Sequence, residues 1–338
     1  MIKWIQEYLH KIYLKRNKNL WERSILSIKD KYKKLIQKLA KTDNETVAKL
    51  YLRTRSLSRK YSGSNIKFIS TEQLISWTNK WLNFIPNNYD IIIGIPRSGL
   101  LVASIISLKF AKPLSTPELF IKNIIWSSIE IKSPKKYKNV LLVDDTISSG
   151  KTMQNSLELL LSNYEGINVT TAALIATPKS KSLVDTYYKI IPEPRIFEWN
   201  MMHAKKGKTC FDMDGVLCEN CPPGVDADEE KYIKWIQNAK PYLIPSYTID
   251  AIISNRLEKY RKDTEIWLKK HNVKYKKLIL WDIESKDKRN GQYAKQKIKA
   301  IKLIKPDIYF ESSLSESEEI WKATGIQVMC IDEMILFS

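Results

Sequence analysis

The chain of 338 residues contains 56 lysine and arginine residues against 37 acidic residues, with 43% apolar residues, four cysteines and three histidines. This length is enough for two domains that each bury a core, and the apolar content excludes a wholly disordered chain. Four cysteines are too few for a disulfide scaffold, and no apolar run is long enough to cross a bilayer. We therefore expect a cytoplasmic protein, or one that is peripheral at the inner face of the membrane.

The net charge of +19 is unevenly distributed. Residues 1–60 contain 17 lysine or arginine residues and 5 acidic ones, a net charge of +12, which leaves +7 for the rest of the chain. Abundant Lys, Ile and Asn are also typical of A- and T-rich coding sequence, so part of the lysine excess needs no functional explanation. The basic character belongs mainly to one segment and does not indicate a chain-wide surface for nucleic acid.

Residues 1–62 are predicted to form a basic helical extension. The first 60 residues contain neither proline nor glycine, and apolar residues recur at helical spacing, for example at Trp21, Ile25 and Ile28. Two interpretations remain open. The apolar stripe could be a docking face, or the helices could lie on an anionic membrane, because Trp and Tyr are mixed with Lys and Arg.

From residue 66 onward, short β-type runs alternate with amphipathic stretches, which predicts parallel sheets with crossover helices. The strand candidates are Ile91–Ile95, Val140–Asp144 and Val169–Ala176, then Thr209–Asp214, Ile249–Ser254, Lys277–Trp281, Ile308–Phe310 and Val328–Ile331. A proline-containing stretch, residues 190–207, separates the two series. We predict an α/β protein with two parallel-sheet domains, at residues 63–203 and 204–338, after the helical extension.

The strongest chemical signal of the first half is VLLVDDTISSGKT, residues 140–152. An apolar strand carries Asp144 and Asp145 to its carboxyl end, and Gly150 leads into a helix that begins near residue 152. Ligands bind at this end of parallel strands, where a helix N-terminus can bind phosphate. Hydroxyl donors are Thr146, Ser148, Ser149 and Thr152. Phosphate donors beside carboxylates that accept vicinal hydroxyls describe a site for a ribose 5-phosphate.

This string resembles the signature of the type I phosphoribosyltransferases over about residues 66–200. The resemblance implies that phosphoribosyl pyrophosphate (PRPP) is the donor, that Mg²⁺ binds its pyrophosphate, and that the acidic pair and the hydroxyl-rich loop bind PRPP. It also implies a catalytic role for the acidic pair. The earlier turn, Gly94–Ala103, resembles the pyrophosphate loop of the family, where Arg97, Ser98 and Gly99 would contact the leaving group.

Two further features bear on this resemblance. The lysine-rich residues 132–138 could form a mobile loop that closes over PRPP, although a solvated surface loop explains them equally well. Purine-salvage members of the family have Asp at the loop position held here by Ser148, where it contacts the base. The resemblance therefore argues against a 6-oxopurine acceptor.

The second half opens with FDMDGVL, residues 211–217. Asp212 and Asp214, two residues apart after an apolar strand, suit a carboxylate nucleophile and an acid/base partner, and Gly215 allows the turn between them. This motif resembles motif one of the haloacid-dehalogenase-like hydrolases, and the resemblance covers about residues 205–335. It implies a Rossmann-like phosphatase domain.

Further motifs of that family follow in order. Ser254 stands where relatives have a phosphate-binding Ser or Thr, and Arg256 where relatives often have Arg. Lys297 is the best match to the lysine that neutralises the phosphoryl group, with Lys295 as the alternative. Glu311 stands where many relatives have an Asp pair. The Mg²⁺ ligands implied by the resemblance are the Asp212 carboxylate, the Asp214 backbone carbonyl and Glu311.

The stretch between these motifs is short. About 40 residues separate Asp214 from Ser254, which leaves room for a loop and one helix rather than a cap domain, so the site should admit a phosphate on a bulky carrier. Cys218 and Cys221 form a C-x-x-C pair. A closed zinc site needs four ligands, and the sequence has no second such pair, so we predict no structural zinc.

Both resemblances together imply a bifunctional enzyme that transfers a 5-phosphoribosyl group and removes the 5-phosphate. Removing the phosphate works against nucleobase salvage, because the charge retains nucleotides in the cell, whereas it suits glycan synthesis. Such two-domain chains resemble enzymes that place β-ribofuranose in bacterial surface polysaccharides, with a lipid-linked sugar as acceptor. This transfer, on a membrane or partner contacted by residues 1–60, is the leading hypothesis.

Two alternatives remain open. One is a nucleobase or orotate-like phosphoribosyltransferase with an attached nucleotidase-type phosphatase. The other is a PRPP-sensing regulator that binds RNA through the basic segment. We expect no nucleic-acid partner, because the aromatic residues of that segment follow helical stripes and are poorly placed to stack on bases.

Overall fold

The computed structural model describes residues 66–127, 137–205, 207–285 and 291–338. The predicted helical extension at residues 1–62 and most of the lysine-rich stretch at 132–138 lie outside these residues. In the part of the chain that the model describes, two parallel-sheet regions follow one another, so the prediction of an α/β fold with parallel sheets is confirmed.

A five-stranded parallel sheet contains the first series of predicted strands. Its spatial order is β3 (Leu114–Ser115), β2 (Ile91–Gly94), β4 (Asn139–Ile147), β5 (Asn168–Ala176) and β6 (Thr186–Ile190). The helices of this half are α1 (Thr71–Trp81), α2 (Gly99–Phe110), α3 (Pro117–Phe120) and α4 (Lys151–Asn163). The core of β2 and β4 is apolar on both faces, as parallel sheets covered by helices require.

A six-stranded sheet contains the second series. Its spatial order is β10 (Leu278–Trp281), β9 (Ala251–Leu257), β8 (Thr209–Phe211), β11 (Ile308–Glu311), β12 (Gln327–Cys330) and β13 (Ile335–Phe337). Of these pairings, that of β12 with β13 is antiparallel. The helices of this half are α5 (Glu229–Asn238), α6 (Arg261–Lys270), α7 (Tyr293–Ile304) and α8 (Leu314–Thr324).

Each large sheet has one point where the strand order reverses. In the first sheet the chain moves outward from β2 to β3 and then continues from β4 on the other side. In the second sheet it moves from β8 to β10 and then continues from β11 on the other side. Ligands of open α/β sheets bind in the crevice at such a reversal, beyond the carboxyl ends of the strands. Both predicted sites follow strands that flank these reversals.

A small parallel sheet, β1 (Lys67–Ile69) with β7 (Arg195–Phe197), lies between the two cores. Successive residues of a strand face opposite sides. Ile196 accordingly packs in the core of the six-stranded sheet, whereas Phe197 packs in the core of the five-stranded sheet. The pair therefore contributes apolar side chains to both halves.

A buried glutamine also joins the halves. The side chain of Gln327, at the start of β12, donates to the carbonyl of Ile66 at 2.9 Å and accepts from its backbone N–H at 2.6 Å. Residues Asn65–Ser338 form one compact unit. The chain passes from one sheet to the other near the predicted boundary at residue 204, without separating the two cores. Among the described residues, we find no helix with the length and apolar character needed to span a bilayer.

Candidate active sites

The acidic pair of the first site lies within β4 rather than after it. Strand β4 continues to Ile147 because Thr146 and Ile147 still pair with β5. The predicted boundary at Asp144 is therefore three residues too early, and the hydroxyl-rich loop is shorter than expected. It turns at Gly150, whose φ of 77° is in the left-handed region, and α4 begins at the next residue.

The two carboxylates of this pair have different surroundings. Asp145 is 2% exposed, and its two oxygens accept hydrogen bonds from Ser98 Oγ at 2.8 Å and Trp199 Nε1 at 2.7 Å. Asp144 is half-buried and accepts from the backbone N–H of Asp145 at 2.8 Å. Burial, reinforced by the neighbouring Asp145 charge, raises the pKa of Asp144 well above its usual value. Asp145 is thus held by protein donors, and Asp144 is the more accessible carboxylate for a ligand.

The predicted pyrophosphate turn meets this pair directly. Gly99 starts α2 against β4, where an added Cβ would come within 2.9 Å of the Val143 carbonyl oxygen and 3.0 Å of Asp144. A side chain at this position would therefore push the turn away from the strand. Arg97 is exposed in the same turn, after a cis peptide bond that follows Pro96.

A buried arginine supports the loop from below. Arg195 is 1% exposed, and its Nη2 group donates to Thr146 Oγ1, to the Ile147 carbonyl at 3.2 Å and to Ser148 Oγ at 3.3 Å. Ser148 Oγ in turn donates to Glu193 at 2.9 Å. Burial lowers the pKa of Arg195, and the nearby acids oppose that change. Thr146 and Ser148 therefore have protein partners, whereas Thr152 is exposed at the start of α4.

Sequence reasoning missed Trp199 and Arg195. Both lie about 50 residues after the strand they contact, outside any local motif, and neither residue type alone indicates a phosphate or ribose site. A weak signal was available, since a charged residue between the apolar positions of a short strand needs a partner when it is buried.

The second predicted site is a cavity of about 260 Å³ at the carboxyl edge of the six-stranded sheet. Five predicted residues line it, namely Asp212, Asp214, Ser254, Lys297 and Glu311. They come from β8, β9, α7 and β11, so the fold brings together residues that are up to about 100 positions apart. Lys295 lines a different cavity.

Lys297 is the centre of a buried cluster of charges. Its Nζ lies 2.6 Å from Asp212, 2.8 Å from Glu311 and 2.8 Å from Glu316. Burial alone would lower the pKa of Lys297, but the three carboxylates outweigh it and raise this pKa well above its usual value. For Asp212 the effects oppose each other in the reverse sense, because burial raises its pKa and Lys297 lowers it. The lysine is therefore a fixed cation beside the predicted nucleophile.

A second ion pair holds the predicted acid/base residue. Arg256 is 1% exposed and donates to both oxygens of Asp214, with Nη2 at 2.6 Å and Nε at 3.1 and 3.2 Å. Cys218 Sγ lies 3.2 Å from the same carboxylate, and burial raises the pKa of this thiol. Cys221 is half-buried, and both thiols are free. Cys218 therefore belongs to the surroundings of Asp214.

Several lining residues were not predicted. They are Asn220, Asn255, Ser312, Ser313, Glu316 and Asp332. Glu316 had a readable signal, because Ser313 and Glu316 have the S-x-x-E spacing of a helix N-cap, and Ser313 does cap α8. In the structure the Glu316 carboxylate reaches Lys297 instead. The Oδ1 atom of Asn255 is buried without a hydrogen-bond partner among the described residues, as expected for a group that awaits a ligand.

The residues present fit a divalent cation. Three carboxylates surround one ammonium group, so the cluster carries excess negative charge that a cation would neutralise, and hard carboxylate and carbonyl oxygens are what Mg²⁺ prefers. The predicted set uses the two carboxylates of Asp212 and Glu311 with the Asp214 carbonyl, which accepts from Ser312 Oγ at 3.3 Å. In the described ranges no group of three or more His, Cys, Asp or Glu side chains is arranged to hold a metal by itself.

The cavity has little cover from its own sheet domain. Between Asp214 and Ser254 the structure has one short 3-10 turn, Val225–Ala227, and helix α5. Trp235 of this helix stacks against Arg256, whose guanidinium carbon lies 5.2 Å from the ring centroid. The segment thus supports the ion pair of Asp214 and has no second core of its own.

Residues 64–205 match the model of the phosphoribosyl transferase domain family. This part of the chain is a phosphoribosyl transferase domain. An orotate phosphoribosyltransferase of Sulfurisphaera tokodaii is 29% identical over 130 residues, which are 38% of this chain and 60% of that relative. The chain therefore spans about 60% of the length of this relative.

Solved structures of two archaeal enzymes are also similar. A purine phosphoribosyltransferase from Pyrococcus horikoshii has 21% identity and a TM-score of 0.30, over 40% of this chain and 94% of that chain. An orotate phosphoribosyltransferase from Aeropyrum pernix has 20% identity and a TM-score of 0.26, over 35% of this chain and 68% of that chain.

Proposed function

We propose that the protein transfers the 5-phosphoribosyl group of PRPP to a nucleobase-like acceptor and that its second site removes a phosphate from a phosphomonoester. The observation that carries the first activity is the meeting of the acidic pair with the turn of Ser98 and Gly99 at the strand-order reversal, within a phosphoribosyl transferase domain. Asp144 would accept the ribose hydroxyls, and the N–H groups at the start of α4 would bind the 5-phosphate.

The acceptor proposed first is orotate or a related pyrimidine. The relative from Sulfurisphaera tokodaii is an orotate enzyme, and Ser148 stands where purine-salvage enzymes have Asp. This support favours the nucleobase alternative over the glycan acceptor of the leading sequence hypothesis. During transfer, the bond from the anomeric carbon to pyrophosphate breaks as the bond to the acceptor nitrogen forms. Arg97 and the backbone donors of its turn would stabilise the leaving pyrophosphate, which Mg²⁺ accompanies in the bound substrate.

The phosphatase activity is proposed from the second cavity alone. The Asp212 carboxylate would attack phosphorus while Lys297 stabilises the phosphoryl oxygens, and Asp214 would protonate the departing alcohol oxygen. Water would then cleave the acyl phosphate, with Asp214 accepting its proton. Mg²⁺, held by Asp212, Glu311 and the Asp214 carbonyl, would neutralise phosphoryl charge.

A glycan acceptor is the second candidate, and one specific observation favours it. Two phosphate-handling sites share one compact unit, and removal of the 5-phosphate from a ribosylated glycan leaves a finished sugar. With a lipid-linked sugar as acceptor, the sum of both activities would be transfer of β-ribofuranose.

One assay tests these proposals together. The full chain is incubated with PRPP, Mg²⁺ and either orotate, uracil or a synthetic lipid-linked sugar, and products are identified by mass. The first candidate predicts a nucleoside with the native protein and a nucleoside 5'-phosphate with Asp212→Asn, because that variant should retain transfer and lose dephosphorylation. A pentose adduct on the sugar, without any nucleotide, would establish the second candidate. A nucleotide that accumulates equally with both proteins would contradict the phosphatase proposal.

A further inference from the structure

A second, larger cavity of about 730 Å³ lies between the edge strand β10 and helix α7. We call it the basic groove, and it shares no lining residue with the acidic cavity that contains Lys297. Its lining contains five lysines and two aspartates, a net charge of +3. This size and this charge fit an anionic ligand of moderate size.

Three of the five lysines have unused charge. Lys276 pairs with Asp250 at 2.6 Å, and Lys208 donates to the carbonyl of Ile304 at the end of α7. The other three are exposed and make no ion pair or hydrogen bond with any residue that the structure describes: Lys277, Lys295 and Lys299. Free ammonium groups in a concave surface raise the local concentration of anions, and lysine binds phosphate as a point charge.

The groove also has an apolar side. Ile279, Trp281 and Ala300 line it together with Leu303, which is 86% exposed. That exposure is the highest of any large apolar side chain in the described residues. Covering such a side chain with another apolar group is favourable by about 25 cal/mol per Å² of area removed from water.

Helix α7 arranges the two kinds of side chain in order. Lys295, Lys299 and Leu303 recur at every fourth position, so they follow one another along one face of the helix, with Cβ atoms about 5–6 Å apart. The charged positions come first and the apolar position comes last. A ligand that lies along this face would therefore meet two cations at one end and an apolar surface at the other.

We propose that the basic groove binds a phosphate or diphosphate ester of a long-chain apolar alcohol. The phosphate groups contact Lys277, Lys295 and Lys299, and the hydrocarbon chain covers Trp281 and Leu303. A nucleotide would use the ring of Trp281 but leave Leu303 in water. The N-terminal segment is an unsuitable occupant, because its first 60 residues carry a net charge of +12. This inference rests on the groove and not on the proposed activities.

Calorimetric titration of the full chain tests the inference, in EDTA and without PRPP so that no turnover intervenes. The probe is farnesyl diphosphate, compared with inorganic pyrophosphate, farnesol and UMP. Farnesyl diphosphate should bind at least about tenfold more tightly than the other three, because it alone supplies both parts of the ligand. Lys277→Gln with Lys299→Gln should weaken its binding by about tenfold, since two charge-assisted contacts are lost.

Two further variants separate the parts of the site. Leu303→Ser changes a fully accessible side chain, so folding should be unaffected, and it should weaken binding of farnesyl diphosphate while leaving that of pyrophosphate unchanged. Lys302→Gln, on the same helix but outside the groove lining, should bind as the native protein does. Unchanged binding in the double lysine variant would overturn the inference. So would pyrophosphate or UMP binding as tightly as farnesyl diphosphate.

Discussion

At the scale of single residues, the first site depends on a tryptophan that does no chemistry. Trp199 donates to Asp145 at 2.7 Å, and its ring stacks on Phe197 with centroids 4.8 Å apart. Asp145 also holds Ser98 of the pyrophosphate turn. The indole N–H thus positions a carboxylate that in turn positions the turn, and Phe197 fixes the indole.

Trp199→Phe tests this positioning role. The variant keeps an aromatic ring against Phe197 and removes only the N–H donor, so one oxygen of Asp145 loses its partner. We expect KM for PRPP to rise by about tenfold with a smaller change in kcat, because a hydrogen bond to a charged group contributes about 1.5–3 kcal/mol. Steady-state kinetics against PRPP measure both constants. Trp126→Phe, at a half-exposed position, is the control and should leave KM unchanged.

The buried lysine of the second site supports a second prediction. Lys297→Met leaves the carboxylates of Asp212, Glu311 and Glu316 without their cation, so we expect loss of phosphatase activity and a free energy of unfolding lower by about 3–5 kcal/mol. Denaturant titration and a phosphatase assay measure the two effects.

Lys295→Met is the matched control, two residues earlier on the same helix. Lys295 is exposed and lines the basic groove. This control should retain both stability and phosphatase activity. Equal loss in the two variants would contradict the assignment of Lys297.

The choice between these lysines could have been made from the sequence. In α7 the buried residues are Ala294, Lys297, Ile298, Ala300 and Ile301, which is the apolar face expected from helical spacing. Lys297 falls on that face and Lys295 does not. A lysine in a predicted core stripe must have a buried counter-charge, and the three acids of the motifs supply it. Trp199 and Arg195 had no comparable pattern, because their partners come from distant strands.

At the scale of elements, Asp250 holds the amino ends of two strands together. It precedes β9, accepts from the Thr209 N–H of β8 at 3.0 Å, and pairs with Lys205 and Lys276 at 2.7 and 2.6 Å. Burial raises the pKa of Asp250, but hydrogen bonds from these partners outweigh it and lower the pKa to about 2. The carboxylate therefore stabilises the fold only while it is ionised.

The pH dependence follows from the direction of this shift. The contribution of Asp250 is complete above the pKa of an unfolded Asp, about 3.9, and is lost as the pH falls toward 2. We expect Asp250→Asn to lower the free energy of unfolding at pH 7 by about 1–2 kcal/mol, and the difference from the native protein to shrink between pH 4 and pH 2. Denaturant titrations across this range measure it. Asp282→Asn, which removes an exposed carboxylate with no ion pair among the described residues, should show neither effect.

The element scale also shows what strand patterns can predict. The apolar runs located the core strands of both sheets, because buried parallel strands are nearly continuously apolar. The ends were less accurate. Strand β4 extends past Asp144 to Ile147, since its pairing with β5 continues through polar Thr146. Strand β8 ends at Phe211 and not at Asp214, since the turn of the acidic motif begins there.

At the scale of the whole molecule, the junction of the two cores makes them one cooperative structure. Gln327→Leu removes both hydrogen bonds to Ile66 and leaves the backbone groups of Ile66 buried without partners. We expect a loss of about 2–4 kcal/mol, at about 1–3 kcal/mol for each buried group left unpaired, and a broadened or split thermal transition. Differential scanning calorimetry measures it. Gln292→Leu, at an exposed position, is the control, and two unchanged single transitions would contradict the coupling.

The sequence indicated two sheet domains but not their union. Residues Ile66, Ile196 and Met201 belong by position to the first half, yet they pack in the core of the second. Apolar residues in short strands predict burial, but they do not indicate which of two cores receives them. Helix 1–62 and the contacts predicted for it lie outside the described residues and remain predictions.

The small sheet of β1 and β7 has a consequence for how such a protein can change over generations. Because its alternate residues fill two different cores, recombination that exchanged one half near residue 204 would bring together surfaces that were never matched. The transferase and the phosphatase-like half are therefore expected to be inherited as one piece. A substitution on either side of the junction would favour a compensating one across it.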